Sequence, residues 1–397
     1  MNLQLLLQAI NSSSVIRYSV KLKPTSGDGL VRPPTYKPER DEGPQYIAFR
    51  KAYVDGEPRE IVVLDSPQSQ SNRIELALLE AHRTRRIYYP DIVINFPPEM
   101  GEPSISVLKL SHRIYDAYLY TSEHGSENFF SSNIGIAIKN ARPENATALF
   151  KHAPITLVLG GWDSQSGTGP RTAKIQRLLT SEIIGLDALR ASLSATKFDA
   201  MDIRSNVPLV ETDDPIRRFE LMPEENKAKA PKKEIKKPSA FGFGSIPCNS
   251  VPCAVISGAI QTSILSCSGL RSLSFPKDNG EVDSERNQAG RAVLATLALY
   301  GFFAQIEAGY LLRSGCQLVP IDDGQLELIG RTLKDVTKLQ LSADSALTLF
   351  NQAIEHAAKF DLSFHPEVLS LNADNRLMEL VKRSRAAVPA GDSSSNT

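Results

Sequence analysis

"LDSPQSQSNRIE", residues 64–75, is where an apolar strand gives way to a helix. The run Glu60-Ile61-Val62-Val63-Leu64 stops at Asp65. Ser66 can cap, Pro67 suits a first helical turn, and Ile74, Leu76 and Leu79 supply an apolar stripe, which predicts a helix over 67–83. Capping uses one or two polar side chains. Here Ser66, Gln68, Ser69, Gln70, Ser71 and Asn72 crowd together, with Arg73 next. Helical periodicity puts Gln68, Asn72 and Glu75 on one exposed row and Ser66, Gln70 and Arg73 on its neighbour. The first turn also offers free N–H groups at the positive end of the helix dipole. Such a surface of neutral donors with one cation suits a phosphodiester or a carboxylate better than bond-breaking chemistry. The plainer alternative is a capped helix with a solvated polar face.

Outward from this point, strands and helices interleave. Ile16, Tyr18, Val20 and Leu22 alternate as a strand does, and further strands are predicted near 45–49, 60–64, 91–95 and 104–110. A Pro-rich stretch carrying Lys23, Arg32, Lys37 and Arg40 reads as a long loop. "SHRIYDAYLY" predicts a helix over 111–120, and "ITLVLGGW" a strand ending at Trp162. Residues 211–225 are acidic, and Lys227 to Lys237 holds six lysines and one glutamate. Helices are expected near 284–306 and 343–360, with the strand-like "YLLRSGCQLVP" between them. The regular βαβ period of a doubly wound sheet is missing, so an α+β fold with long insertions fits better. One domain over 1–385 is expected, with a flexible lysine-rich segment at 226–238 and a disordered tail at 386–397.

With 41% apolar and 23% charged residues among 397, the chain has the composition of a globular protein. Lys plus Arg equals Asp plus Glu, 45 against 45, which excludes non-specific coating of nucleic acid by overall charge. Cys248, Cys253, Cys267 and Cys316 match no zinc pattern and read as buried free thiols of a reducing compartment. The start lacks the basic flank of a signal peptide, and the apolar run 292–304 is shorter than the ~20 residues of a membrane span. A soluble cytoplasmic protein, without membrane contact, is expected.

Other stretches repeat the combination of neutral donors and arginine. Trp162 to Arg171 reads "WDSQSGTGPR"; Gln261 and Arg271 lie among apolar residues; Arg313 sits in a strand. Phe241, Gly242, Phe243 and Gly244 form a G-x-G loop whose aromatics could stack on bases, but no third glycine completes a dinucleotide frame. His112 and Asp116 fall at i, i+4 beside Arg113, a spacing open to acid–base chemistry and equally to a surface pair. No cofactor and no metal site is predicted. Binding is favoured over catalysis.

In order along the chain, "LDSPQSQSNRIE", "SHRIYDAYL", "GGWDSQSGTGPRTAKIQRLLTSEIIGLD", "FGFGSIP", "IQTSILSCSGLRSLSF" and "YLLRSGCQLVP" resemble the motif series of a CRISPR RAMP-superfamily protein. The similar family is the backbone subunit of the type I-G (formerly I-U) effector complex, and the likeness runs over residues 15–320. Ser71, where a small alanine is common, and the lysine-rich segment depart from the pattern. The resemblance implies an RRM-like (ferredoxin-like) palm with large finger and thumb insertions. It implies a non-catalytic subunit that binds guide RNA (crRNA), polymerises with other copies of itself along the spacer, and joins other subunits of the complex. Target DNA would be met through base pairing with the guide. The RNA contacts expected are Ser66, Gln68, Ser69, Gln70, Asn72, Arg73, His112, Arg113, Trp162, Arg171, Phe241, Gly242, Phe243, Gly244, Gln261, Arg271 and Arg313. The alternative is a RAMP-type endoribonuclease using His112, Asp116 or Asp55.

Overall fold

The computed structural model describes residues 1–37, 46–101, 104–163, 174–212, 214, 216, 218–222 and 235–386, with backbone alone at 195, 246–250 and 386. Contacts divide the chain into two compact units, Met1–Arg190 with Cys253–Leu377, and Ala191–Pro252 with the chain from Met378.

The first unit is built on one sheet. In chain order its elements are α1 (Leu3–Ser12), β1 (Val15–Pro24), β2 (Phe49–Val54), β3 (Glu57–Asp65), α2 (Pro67–Arg83), β4 (Leu179–Leu186), β5 (Gly258–Ser266) and α3 (Ser284–Glu307). They continue with β6 (Tyr310–Arg313), β7 (Cys316–Pro320), β8 (Gln325–Ile329), β9 (Val336–Leu339) and α4 (Ala343–Ala358). The sheet order is β6-β7-β1-β5-β4-β3-β2, every pairing antiparallel. β1 shares one edge between two partners, β8 along Val15–Ser19 and β7 along Leu22–Pro24. Tracing β1-α2-β4 and β5-α3-β7 gives two βαβ halves whose strands lie in the order β7-β1-β5-β4. That is the ferredoxin-like (RRM-like) arrangement expected from the sequence, with long insertions at 84–178 and 187–257.

Strand alternation produces one buried face. Ile16, Tyr18, Val20 and Leu22 of β1 point inward, and α2 covers the sheet with Ile74, Leu78 and Leu79. Helix α3 crosses close to α2 at Gly301, where a Cβ would come within 2.9 Å of the Leu78 side chain. Any larger residue there would force the two helices apart. Helix α3 is long and apolar enough to pass for a membrane span, although its apolar run alone is too short, and 83% of its apolar window is buried inside the unit. Its hydrophobicity is that of a core helix. Cys267 and Cys316 are buried free thiols, and burial pushes both up to about 11.

Three local expectations change. Leu76 is 60% exposed rather than part of the buried stripe, because the buried arc of α2 turns through Leu78 and Leu79 instead. "SHRIYDAYLY" is not one helix: Arg113–Tyr115 is a 3₁₀ turn and Ala117–Tyr120 a separate helical turn capped by Asp116. "ITLVLGG" is helical over Pro154–Leu159, since Pro154 opens the helix and Gly160, at φ +85, ends it. A short run buried on every side has no periodicity to tell strand from helix.

A second sheet in the same unit joins Ile92–Asn95 with Ser104–Ser106 and Leu369–Ala373, the last pairing parallel to Ile92–Asn95. The second unit contains a three-stranded sheet of Phe219–Leu221, Leu209–Glu211 and Ile235–Lys236. The lysine-rich stretch lies outside the described residues as far as 234, and its last part is ordered by pairing with Leu209–Val210.

Candidate nucleic-acid interface

Asp65 ends β3 with its carboxylate fully buried beneath the start of α2. Ser66 caps the helix by accepting from Ser69 N at 3.3 Å. Ser69 Oγ donates to Asp65 Oδ1 at 2.7 Å, Gln70 Nε2 to Oδ2 at 2.6 Å, and Arg73 Nε to Oδ2 at 2.8 Å. Arg313 approaches Oδ1 at 3.5 Å. Two guanidiniums thus share one carboxylate and leave a net positive charge at the positive end of the α2 dipole. Arg73 also donates to the carbonyls of Leu311 at 3.3 Å and Leu312 at 2.6 Å, tying α2 to β6.

Gln70 is a core residue. Its Oε1 accepts from Ser181 Oγ and Gln261 Nε2, both at 2.8 Å; Gln261 Oε1 accepts from Tyr310 OH at 2.8 Å, and Ser263 donates to Ser181 at 2.7 Å. A buried polar chain therefore pins α2 to β4, β5 and β6. This corrects the sequence reading: Gln70 and Gln261 are buried and satisfied inside the protein, the half-buried Ser69 and Arg73 spend their donors on Asp65, and Glu75 is buried as well. Glu75 pairs with Arg113, which donates a second bond to the Gly160 carbonyl at 3.0 Å. Burial raises the Glu75 carboxyl above its ordinary range, against the lowering influence of Arg113. Arg113, at φ +52, is a buried clamp rather than an RNA contact. Arg271 is likewise internal, donating to the carbonyls of Ile10 at 2.6 Å and Ser13 at 2.7 Å at the end of α1. The His112–Asp116 acid–base pair does not form: the Asp116 carboxylate accepts from the backbone N–H groups of His112 at 3.0 Å and Tyr118 at 3.2 Å. The His112 side chain is exposed.

Gln68 and Asn72 remain on the surface of α2. Close by are residues the sequence reading did not select as sites. Tyr36 and Tyr46 stack with ring centroids 5.8 Å apart, and Tyr46 is 51% exposed. Burial raises the Tyr36 hydroxyl, whose electrostatic neighbours are Arg313, Asp65, Tyr46 and Glu182. Arg32 is exposed, its carbonyl accepting from Arg313 at 3.3 Å. Aromatic faces beside cations form the usual platform for single-stranded nucleic acid. Only the Pro-rich composition of residues 23–44 drew attention to this part of the sequence. Trp162 is 53% exposed and paired across a two-residue ladder with Lys174. It follows Gly160, so the Arg113–Glu75 pair anchors its strand to α2. Arg171 lies outside the described residues.

In the second unit, Phe219 contacts Phe241 and Phe243 at centroid distances of 5.1 and 5.3 Å. Gly242, at φ +87, ends a 3₁₀ turn, and Gly244 N–H donates to Asp199 at 3.1 Å. Phe241 is partly covered and Phe243 partly exposed, so the loop is a small aromatic cluster with one face open.

These observations define an RRM-like palm with long insertions. Residues 16–190, which carry β1 to β4 and Asp65, match the model of the family described as CRISPR-associated protein GSU0053 (Cas_GSU0053). Among solved structures, the chain is similar to one in a CRISPR RNA-guided surveillance complex, pre-nicking, at 10% identity and TM-score 0.34, with 94% of this chain and 99% of that chain covered. It is also similar to Thermofilum pendens Csc2, at 12% identity and TM-score 0.27, with 97% and 84% covered. No match was found among curated proteins.

Proposed function

We propose that this protein is a guide RNA-binding backbone subunit of a type I CRISPR effector complex, polymerising along the spacer. The observation that carries the reading is the start of α2, inside the family-matched region. There Gln68 and Asn72 are exposed beside a carboxylate shared by two arginines, with the Tyr36–Tyr46 pair alongside. Neutral donors over a net positive helix N-terminus grip a sugar-phosphate chain without selecting its bases. Target DNA is then read by pairing with the guide, and other subunits complete the complex.

The role proposed is non-catalytic and cytoplasmic. Of the residues weighed for an endoribonuclease, Asp116 is used as a cap rather than paired with the His112 side chain. Co-expression with guide RNAs of two spacer lengths tests the proposal. The expected product is an RNA-bound multimer whose mass grows with spacer length. A protein that purifies as an RNA-free monomer in both cases overturns it.

A further inference from the structure

Between the C-terminal half of α2 and the end of α3 lies a cleft of about 590 Å³, wholly within the first unit. Its floor is small and apolar, formed by Ala77, Ala81, Ala304 and Ala308. Leu76 and Leu311 line it while remaining 60% and 62% exposed. Two polar groups also line it without any partner: Tyr300 OH and Gln305 Oε1, on residues 0% and 3% exposed. Buried polar atoms are nearly always hydrogen-bonded, so a pair of orphans facing one cleft marks a place for a ligand. Gln305 Oε1 can only accept, which requires that ligand to be a donor.

The charges specify the donor further. Two arginines line the cleft, and both are engaged: Arg73 with Asp65 at 2.8 Å, Arg86 with Asp344 at 2.6 Å. Glu80 and Glu307, on opposite sides, have no ion pair among the described residues. Helix α3 ends here with no basic residue in its last turn, so its negative dipole end is uncompensated. A phosphate would be repelled. A cation on an aliphatic stem fits every feature: methylenes over the alanines, N–H donors toward Gln305 and Tyr300, positive charge toward the two carboxylates and the helix end. Exposed leucines at the rim suit the apolar neighbours of such a side chain on a polypeptide, as around interface hot spots.

We infer that this cleft is a docking site for an arginine side chain presented by a partner protein. The inference does not depend on guide RNA binding, and its test uses the full-length protein without RNA. The probe is fluorescein-labelled Ala-Leu-Arg-Leu-Ala amide, compared by fluorescence polarisation with the same peptide carrying citrulline, which keeps the shape but loses the charge and has a carbonyl in place of one terminal NH2. The arginine peptide should bind, with the citrulline peptide about tenfold weaker. The double variant Glu80→Gln/Glu307→Gln should lose about the same factor. Tyr300→Phe and Gln305→Leu should weaken the peptide yet leave the melting temperature of the free protein unchanged or raised, because each removes an unsatisfied buried atom. A residue with a purely structural role would lower it. If an unlabelled excess of the protein itself displaces the peptide, and the carboxylate variants abolish this, the partner is a second copy and the inference stands. Absence of binding, equal binding of the citrulline peptide, undiminished binding by the variants, or displacement by a uridine oligonucleotide overturns it.

Discussion

Gln261 Nε2 donates to Gln70 Oε1 at 2.8 Å, joining residues 191 positions apart in the buried space between α2 and the sheet. Each is among the polar residues that made the sequence look like a binding surface. Their meeting turns part of that surface into the cement of the fold.

Gln70→Leu should remove the acceptor for both Ser181 and Gln261, costing about 1–3 kcal/mol through the unsatisfied partners. The double variant Gln70→Leu/Gln261→Leu should cost clearly less than the two single changes added together. Urea unfolding of the four proteins measures this; strict additivity would refute a shared network.

Asp65→Asn should be the more damaging change, about 3 kcal/mol, because it leaves Arg73 and Arg313 facing each other without a carboxylate. Adding Arg313→Met should restore part of the loss. Thermal or chemical denaturation reads both.

RNA binding should separate from stability. Gln68→Ala and Asn72→Ala should weaken guide binding across sequences with an unaltered melting temperature, since both side chains are exposed. Arg32→Ala should lower the salt dependence of binding by a slope of about 0.7, as for one phosphate contact on a single strand. Tyr36→Ala should cost about 1–3 kcal/mol of affinity if its ring stacks on a base. Arg73→Ala should reduce affinity and stability together, as expected of a side chain bound to Asp65, Leu311 and Leu312.

Acidification should act on two buried groups with opposite sign. Burial first, then His365 and Lys151, lower His152 from 6.5 to about 4. The unfolded chain therefore takes up this proton more readily, and the contribution of His152 is full above about 6.5 and lost as pH falls toward 4. Burial raises Asp91 from 3.8 to about 6, so its folded form prefers the proton and stability falls as pH rises through that interval. His152→Gln should therefore flatten the loss of melting temperature between pH 7 and pH 5, and Asp91→Asn should steepen it. The reverse pattern would show that neither group is buried in solution.

Arg113→Ala should destabilise more than the paired change Arg113→Met/Glu75→Leu, because a lone buried Glu75 is worse than two apolar neighbours. Limited proteolysis near Trp162 should accelerate in Arg113→Ala, since the bond to Gly160 holds that strand.

Much of the architecture was legible. The alternation Ile16, Tyr18, Val20, Leu22 is strand β1, and the Ser66–Pro67 start of α2 is where capping chemistry puts it. What failed were faces and short elements. Glu75 and Leu76 exchanged places between inside and outside, because charge and apolarity suggest a preference but the partner surface decides. Arg113 offered that partner from 38 residues away, beyond any periodicity argument. The Tyr36–Tyr46 pair was invisible for the same reason: two rings at a distance along the sequence announce nothing until the strands bearing them pair.

The stretch 64–75 shows where the division falls. By itself the sequence determined that a strand ends at Asp65, that Ser66 caps a helix, and that far more hydrogen-bonding side chains come next than a cap requires; these are local matters of backbone geometry and unpaired N–H groups. Only tertiary structure decided which of those side chains are spent within the protein. Strands β4 and β5 place Ser181, Gln261 and Ser263 on their buried face, so the side of α2 packed there had to satisfy them. Gln70 was drawn inward by that demand, and Gln68 and Asn72, on the opposite side of the same turns, were left to solvent.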